Sequence, residues 1–237
     1  MDTRTTITTP TTTSIDGLLP LMWLASPALP VGGFSYSEGL ESAVDAGLVT
    51  DEAQAAHWLT QQLHMTLARA DLVVVRLAII AWRDGDMAAI DALNDWMLRT
   101  RETSEMRQQT VQMGRSMVEW LKSVRPEALT PALSRREREK EWTYPVVWAL
   151  AAASFDCELR DALHAFAFGW AENMMQAAVR SVPLGQSSGQ RILSRLATEI
   201  VPAVHAAVAQ VEPQAFSPML AILSSKHETQ YSRLFRS

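Results

Sequence analysis

The sequence predicts an all-α protein, a single-domain bundle of about ten helices around a long central helical hairpin. Three observations carry this. Of 237 residues only 10 are Gly and 11 Pro, while Ala, Leu, Met, Gln and Glu, which lose little freedom in a helix, are abundant. Apolar residues recur at steps of three and four in two long runs. The first holds Leu163, Phe166, Trp170, Met174 and Ala177 or Ala178; the second holds Ile192, Leu196, Ile200, Val204 and Val208, so each run forms one helical face. Between them, residues 181–189 read as a loop. Pro183 pushes Val182 out of the helical region and Gly185 permits an unusual turn. A hairpin about 30 Å long with one apolar face per arm requires other helices against it.

The remaining elements follow in order. Residues 1–14, rich in Thr with almost nothing to bury, are expected to be a disordered tail, leaving 15–237 as the domain. Leu18–Leu24 predicts a short helix ended by Pro27 and Pro30, and Gly32-Gly33 a turn. Ser35 or Ser37 is the expected cap of a helix carrying Leu40, Val44 and Leu48, and Asp51 the cap of one carrying Leu59, Leu63 and Leu67. The apolar run 71–82 reads alone as a strand, but its length and lack of a nearby pairing partner favour a buried helix. Helices follow over about 87–98 and 101–122. Residues 125–142, with Pro126, Pro131 and the mixed-charge run Arg135 to Glu141, read as an exposed connection. Tyr144-Pro145 opens an apolar helix to about Phe155, and 216–237 form a C-terminal segment.

Composition narrows the function. A chain of this length buries about 70–75% of its unfolded surface. The formal net charge of −5 argues against a nucleic-acid protein, which needs a concentrated basic surface. One cysteine, Cys157, allows no internal disulfide and points to a reducing, cytoplasmic setting. No membrane span or signal peptide is expected, because Pro20, Pro27 and Pro30 interrupt the apolar run from Leu18 to Phe34.

Chemical motifs are missing or misplaced. Gly185-Gln186-Ser187-Ser188-Gly189 fits G-x-S-x-G, but a helix precedes it, and Glu199 and His205 ride on the helix it begins; a nucleophile elbow needs a strand before it. The histidines (57, 64, 164, 205 and 227) lack ligand spacing, so no metal site is expected. No phosphate-cradling loop is present, so no cofactor is expected either. Glu102 and Glu105 sit among arginines as ordinary surface pairs.

What remains are polar and aromatic residues in excess of what a fold needs. They cluster at Phe34, Tyr36, Ser37, Glu38 and Glu41; at Gln186, Gln190 and Arg191, with Arg180 before the loop; and at His227, Glu228, Tyr231, Arg233, Leu234, Phe235 and Arg236. Tyr, Leu and Phe beside Arg are residue types suited to interfaces. The reading from residues alone is a helical interaction protein with a sticky C-terminal segment. A helical enzyme with a dispersed active site, or a generic dimeric scaffold, stands as the alternative.

Taken jointly, three stretches identify a family. Leu24-Ala25-Ser26-Pro27-Ala28-Leu29-Pro30-Val31-Gly32-Gly33-Phe34-Ser35-Tyr36-Ser37 with Gly39-Leu40-Glu41 is one. Ala177-Ala178-Val179-Arg180, Pro183-Leu184-Gly185-Gln186 and Gly189-Gln190-Arg191 form the next. His227-Glu228 with Arg233-Leu234-Phe235-Arg236-Ser237 is the last. In this order the chain resembles the urease accessory protein UreF family over about residues 18–237. Three features depart from the family pattern: Glu38, where many members have His; a long 125–142 connection; and Trp148-Ala149 in place of a glycine-containing helix start. The resemblance implies a non-enzymatic, cytoplasmic, homodimeric chaperone. It would assemble with the scaffold UreD (also called UreH) and the nickel-binding GTPase UreG on the urease apoprotein. There it would couple or gate GTP hydrolysis to nickel delivery. On this reading the C-terminal segment is mobile alone and orders against the scaffold, with Tyr231, Leu234 and Phe235 filling pockets. Arg180 or Arg191 is a candidate to act in trans on the GTPase.

Overall fold

A computed structural model describes residues 14–129 and 140–237. The expected tail, apart from Ser14, and most of the charged run after Pro131 lie outside the described residues. Among the described residues there are ten α-helices and no strand. They are α1 Ile15–Ala25, α2 Leu40–Asp45, α3 Glu52–Gln62, α4 Asp71–Asp84, α5 Met87–Thr100, α6 Ser104–Val124, α7 Tyr144–Ala153, α8 Leu159–Ser181, α9 Gln186–Ala209 and α10 Pro218–Glu228. Side chains that satisfy the first free N–H groups fix several starts. Asp51 accepts from Gln54 N–H, Asp86 from Ala89 N–H and Thr103 from Met106 N–H.

Helix α8 packs along α9, with α1 on α8 and α3 on α9; α7 lies against α4 and α6, and α10 against α2. Leu163, Phe166 and Met174 on α8, and Ile192, Leu196, Ile200 and Val204 on α9, are all buried. The most enclosed rod is α7, where every residue from Pro145 to Ala152 is buried. Trp148 at its centre meets the Phe166 ring edge-on at 5.1 Å. The run at 71–82 is helical and inside: Leu72 to Val75, Ala78 and Ile79 are buried.

Local expectations change in four places. The loop between α8 and α9 is short, because α9 begins at Gln186, and Gly185 is simply extended (φ −79°, ψ 163°). Gln186, Gln190 and Arg191 therefore stand on the first turns of a helix. Helix α2 stops at Asp45, before Leu48, and Gly39 in the left-handed region starts it (φ 79°). Beyond α3 the chain continues as a π turn, Leu63–Leu67, a distortion that spacing does not signal. Finally, α9 is long and apolar enough to cross a membrane by length and composition. Its buried stripe, however, is filled by α8 and α3.

Candidate partner-docking site

The three sequence clusters do not all meet. Two of them do, at one end of the bundle. The turn Gly33–Ser35 and residues 36–41 lie against the C-terminal segment that follows α10. Arg236 N–H donates to Ser35 O (2.9 Å), and the Ser37 N–H and hydroxyl both donate to Ser237 O (2.7 Å each). Tyr36 donates from its hydroxyl to Gln112 (2.7 Å), which Arg236 also approaches. Burial pushes the Tyr36 hydroxyl above its ordinary pKa, against the pull of Arg236.

Glu41 ties this end together. Its carboxylate accepts from Leu234 N–H (2.7 Å) and Phe235 N–H (3.0 Å) and meets His227 Nε2 at 3.2 Å. The other ring nitrogen, Nδ1, meets Glu105 at 2.7 Å, and Glu105 also takes a bond from Arg233. His227 is fully buried. Two acids and two basic side chains thus face one another with little water between them, an arrangement that holds only while every member is present. Glu228 caps the contact from α10 by accepting from the Ser104 hydroxyl (2.5 Å); this and the neighbouring N–H groups lower its pKa.

In this structure the C-terminal segment packs on the chain itself. Phe235 is 6% exposed and Ser237 is buried, so the chain's own core fills the pocket that a partner was expected to supply. Tyr36, Ser37 and Glu41 are also buried and build the end of the bundle from within. Tyr231, Leu234 and Phe34 remain outside, the last two 71% and 54% exposed. Arg233 and Arg236 flank Leu234 along the chain, and Arg180 donates to Phe34 O at 3.3 Å. Gln186, Gln190 and Arg191 belong elsewhere. Arg191 grips Glu52 of α3 through two bonds (2.7 and 2.6 Å), and that pairing, with Ser188, lowers the Glu52 pKa to about 2. Both candidate trans-acting arginines are therefore engaged within the chain.

Sequence reasoning missed Gln109, which bridges Glu38 and Ser237, because a Gln amid a helical run carries no spacing signal. It accepts from the Ser237 hydroxyl (2.6 Å) and donates to Glu38 (2.8 Å). No group of three or more His, Cys, Asp or Glu among the described residues is arranged to hold a metal ion.

A family model described as UreF matches residues 49–197. The urease accessory protein UreF of Polaromonas sp. is 60% identical over 225 residues, covering 93% of this chain and 94% of the relative. The chain belongs to the UreF family. The UreF of Paracidovorax citrulli is likewise 60% identical over 225 residues, covering 93% of this chain and 89% of its own length. A bifunctional protein of Bordetella bronchiseptica, UreEF, is 45% identical over 235 residues, and this chain spans 54% of it. These relatives are named as urease accessory proteins, which places the chain among the accessory components of urease maturation.

Proposed function

We propose that this UreF chain is a non-catalytic adaptor in urease maturation. It docks the scaffold UreD/UreH through the face formed by Phe34, Tyr231 and Leu234 with Arg180, Arg233 and Arg236. The observation that carries the reading is the Glu41–His227–Glu105 lock. It is a buried hydrogen-bonded cluster that holds the C-terminal segment in place, and the segment presents exposed aromatic and aliphatic groups next to Arg233 and Arg236 in the chain, residue types suited to an interface centre. The test is capture of UreD by the full chain carrying Tyr231→Ala and Leu234→Ala together. These side chains are outside, so folding is unaffected, and capture falls at least about tenfold, the effect of removing one or two hot-spot side chains. Undiminished capture refutes the assignment. Deleting 227–237 is a poorer test, because it removes the buried His227 and Phe235.

The complex so formed recruits the GTPase UreG and acts on the urease apoprotein, gating nickel delivery to GTP hydrolysis in the partner. The UreEF relative supports a UreE neighbour as well. A second copy of the chain packs on the outer face of α1, where Ile15, Leu18, Leu19, Met22 and Trp23 are exposed. Asp16 is the one charged residue of that helix. It lacks the Lys and Arg of a membrane-surface helix, which favours a protein occupant, and a homodimer covers it without opposing charges.

A further inference from the structure

His227 sits wholly inside the end of the bundle, its side chain 0% exposed, between carboxylates from two different helices. Nδ1 faces Glu105 Oε2 on α6 at 2.7 Å, and Nε2 faces Glu41 Oε2 on α2 at 3.2 Å. An ionised carboxylate only accepts hydrogen bonds, whereas a neutral imidazole has one N–H and one lone pair. A neutral ring therefore bonds one acid and turns a lone pair on the other. Both contacts are hydrogen bonds only when the three groups together hold two protons. The other partners of the acids decide where those protons sit. Glu41 accepts Leu234 N–H at Oε1 (2.7 Å) and Phe235 N–H at Oε2 (3.0 Å). Glu105 accepts from the Arg233 guanidinium at Oε1. Donors and positive charge aimed at a carboxylate favour its ionised form, which leaves both protons to the ring.

We propose that His227 is an imidazolium clamp. Its two N–H groups join α2 to α6 at the end of the bundle that holds the C-terminal segment, and loss of either proton undoes the join to one of the two helices. Charge balance agrees. Among the described residues, Arg233 is the one other cation paired with either acid. A neutral ring would leave one of two largely buried negative charges uncompensated, which is costly. The charged groups facing the ring are Glu41 of α2, Glu105 of α6 and, through Glu105, Arg233 of the C-terminal segment. On α10 itself Lys226 and Glu228 adjoin it, and Glu228 is held by the Ser104 hydroxyl (2.5 Å). The pH dependence follows from the proton count. An imidazole in the unfolded chain gives up its proton around pH 6.5. Above that range the folded clamp holds a proton that the unfolded chain does not, so its contribution to stability falls as pH rises.

The test is nitrogen NMR of the isotope-labelled imidazole in the full chain at about pH 7.5, where exposed imidazoles are mostly neutral. Both His227 ring nitrogens are expected to carry hydrogen, and one bare nitrogen overturns the clamp. Bonds traced from the His227 backbone identify the ring in the wild type, so this readout needs no variant. Urea unfolding between about pH 6.5 and about pH 8.5 gives a second readout. The folding constant of the wild type should fall relative to that of His227→Gln by up to about tenfold per pH unit. Parallel profiles overturn the proposal. Where His227→Gln does not fold, Glu105→Gln serves instead. Its amide can donate to a bare ring nitrogen, so the second proton is no longer required and the profile should flatten. A slope unchanged from the wild type again overturns the clamp. Neither readout involves a partner, so both are decided apart from the docking face proposed above.

Discussion

Glu41 illustrates how much one carboxylate supports. It accepts two backbone N–H groups of the C-terminal segment and faces a buried imidazole. Replacing Glu41 with Ala leaves Leu234 and Phe235 N–H and His227 without an acceptor on that side. Leaving a buried hydrogen-bonding group without its partner costs about 1–3 kcal/mol. We expect Glu41→Ala to lower the urea midpoint correspondingly and to make the chain cleavable after Arg233 and Arg236 by trypsin. Unaltered cleavage would show that the segment is held by Phe235 alone. Tyr36, four-hundredths exposed, belongs with Glu41 as a structural residue, whereas Tyr231 and Leu234 carry contact surface. The residue types of the site were readable in advance. Their division into inside and outside was not, because residues 41 and 234 come together across 193 positions, and no local period records that.

At the scale of elements, α6 and the strand-like approach to α7 meet more closely than side chains allow. Gly114 on α6 faces the Trp142 carbonyl, and a Cβ there would run into it. A close backbone approach of this kind is available to glycine alone. Gly114→Ala should destabilise the chain by about 1–3 kcal/mol through forced displacement of α7, read as a lower thermal midpoint. A neutral substitution would mean that residues 142–143 yield freely. Helix existence was legible from period and breaks. The 71–82 run shows the limit, since Asp71 to Val75 are all buried, and a turn enclosed on every side carries no amphipathic signature, so that only length separates it from a strand. The π turn at Leu63–Leu67 and the start of α9 at Gln186 escaped the same reasoning. There, Gly185 needed none of its conformational freedom.

For the molecule as a whole, the proposed function assigns two surfaces: the face at the C-terminal segment beside Arg180, Arg233 and Arg236, and the largely apolar outer side of α1. Introducing Glu at both Leu19 and Met22 places like charges at the centre of a self-association face, and each unpaired buried charge is costly. Light scattering should then report a monomer with unchanged helicity. A dimer that persists at the wild-type concentration would move the contact elsewhere. Of the short motifs that carry the family resemblance, the first and the last meet at one end of the bundle, while Gln186, Gln190 and Arg191 lie apart from them.

Sequence alone determined the helical class, the existence of most helices and the family. These follow from local period, caps and breakers, whose physics acts within about one or two turns. The tertiary structure decided which of the candidate site residues are spent internally. Phe235 fills the core, His227 joins two acids and Glu38 faces a cavity, because burial and charge pairing are set by what the folded chain brings near, not by what stands beside a residue along it.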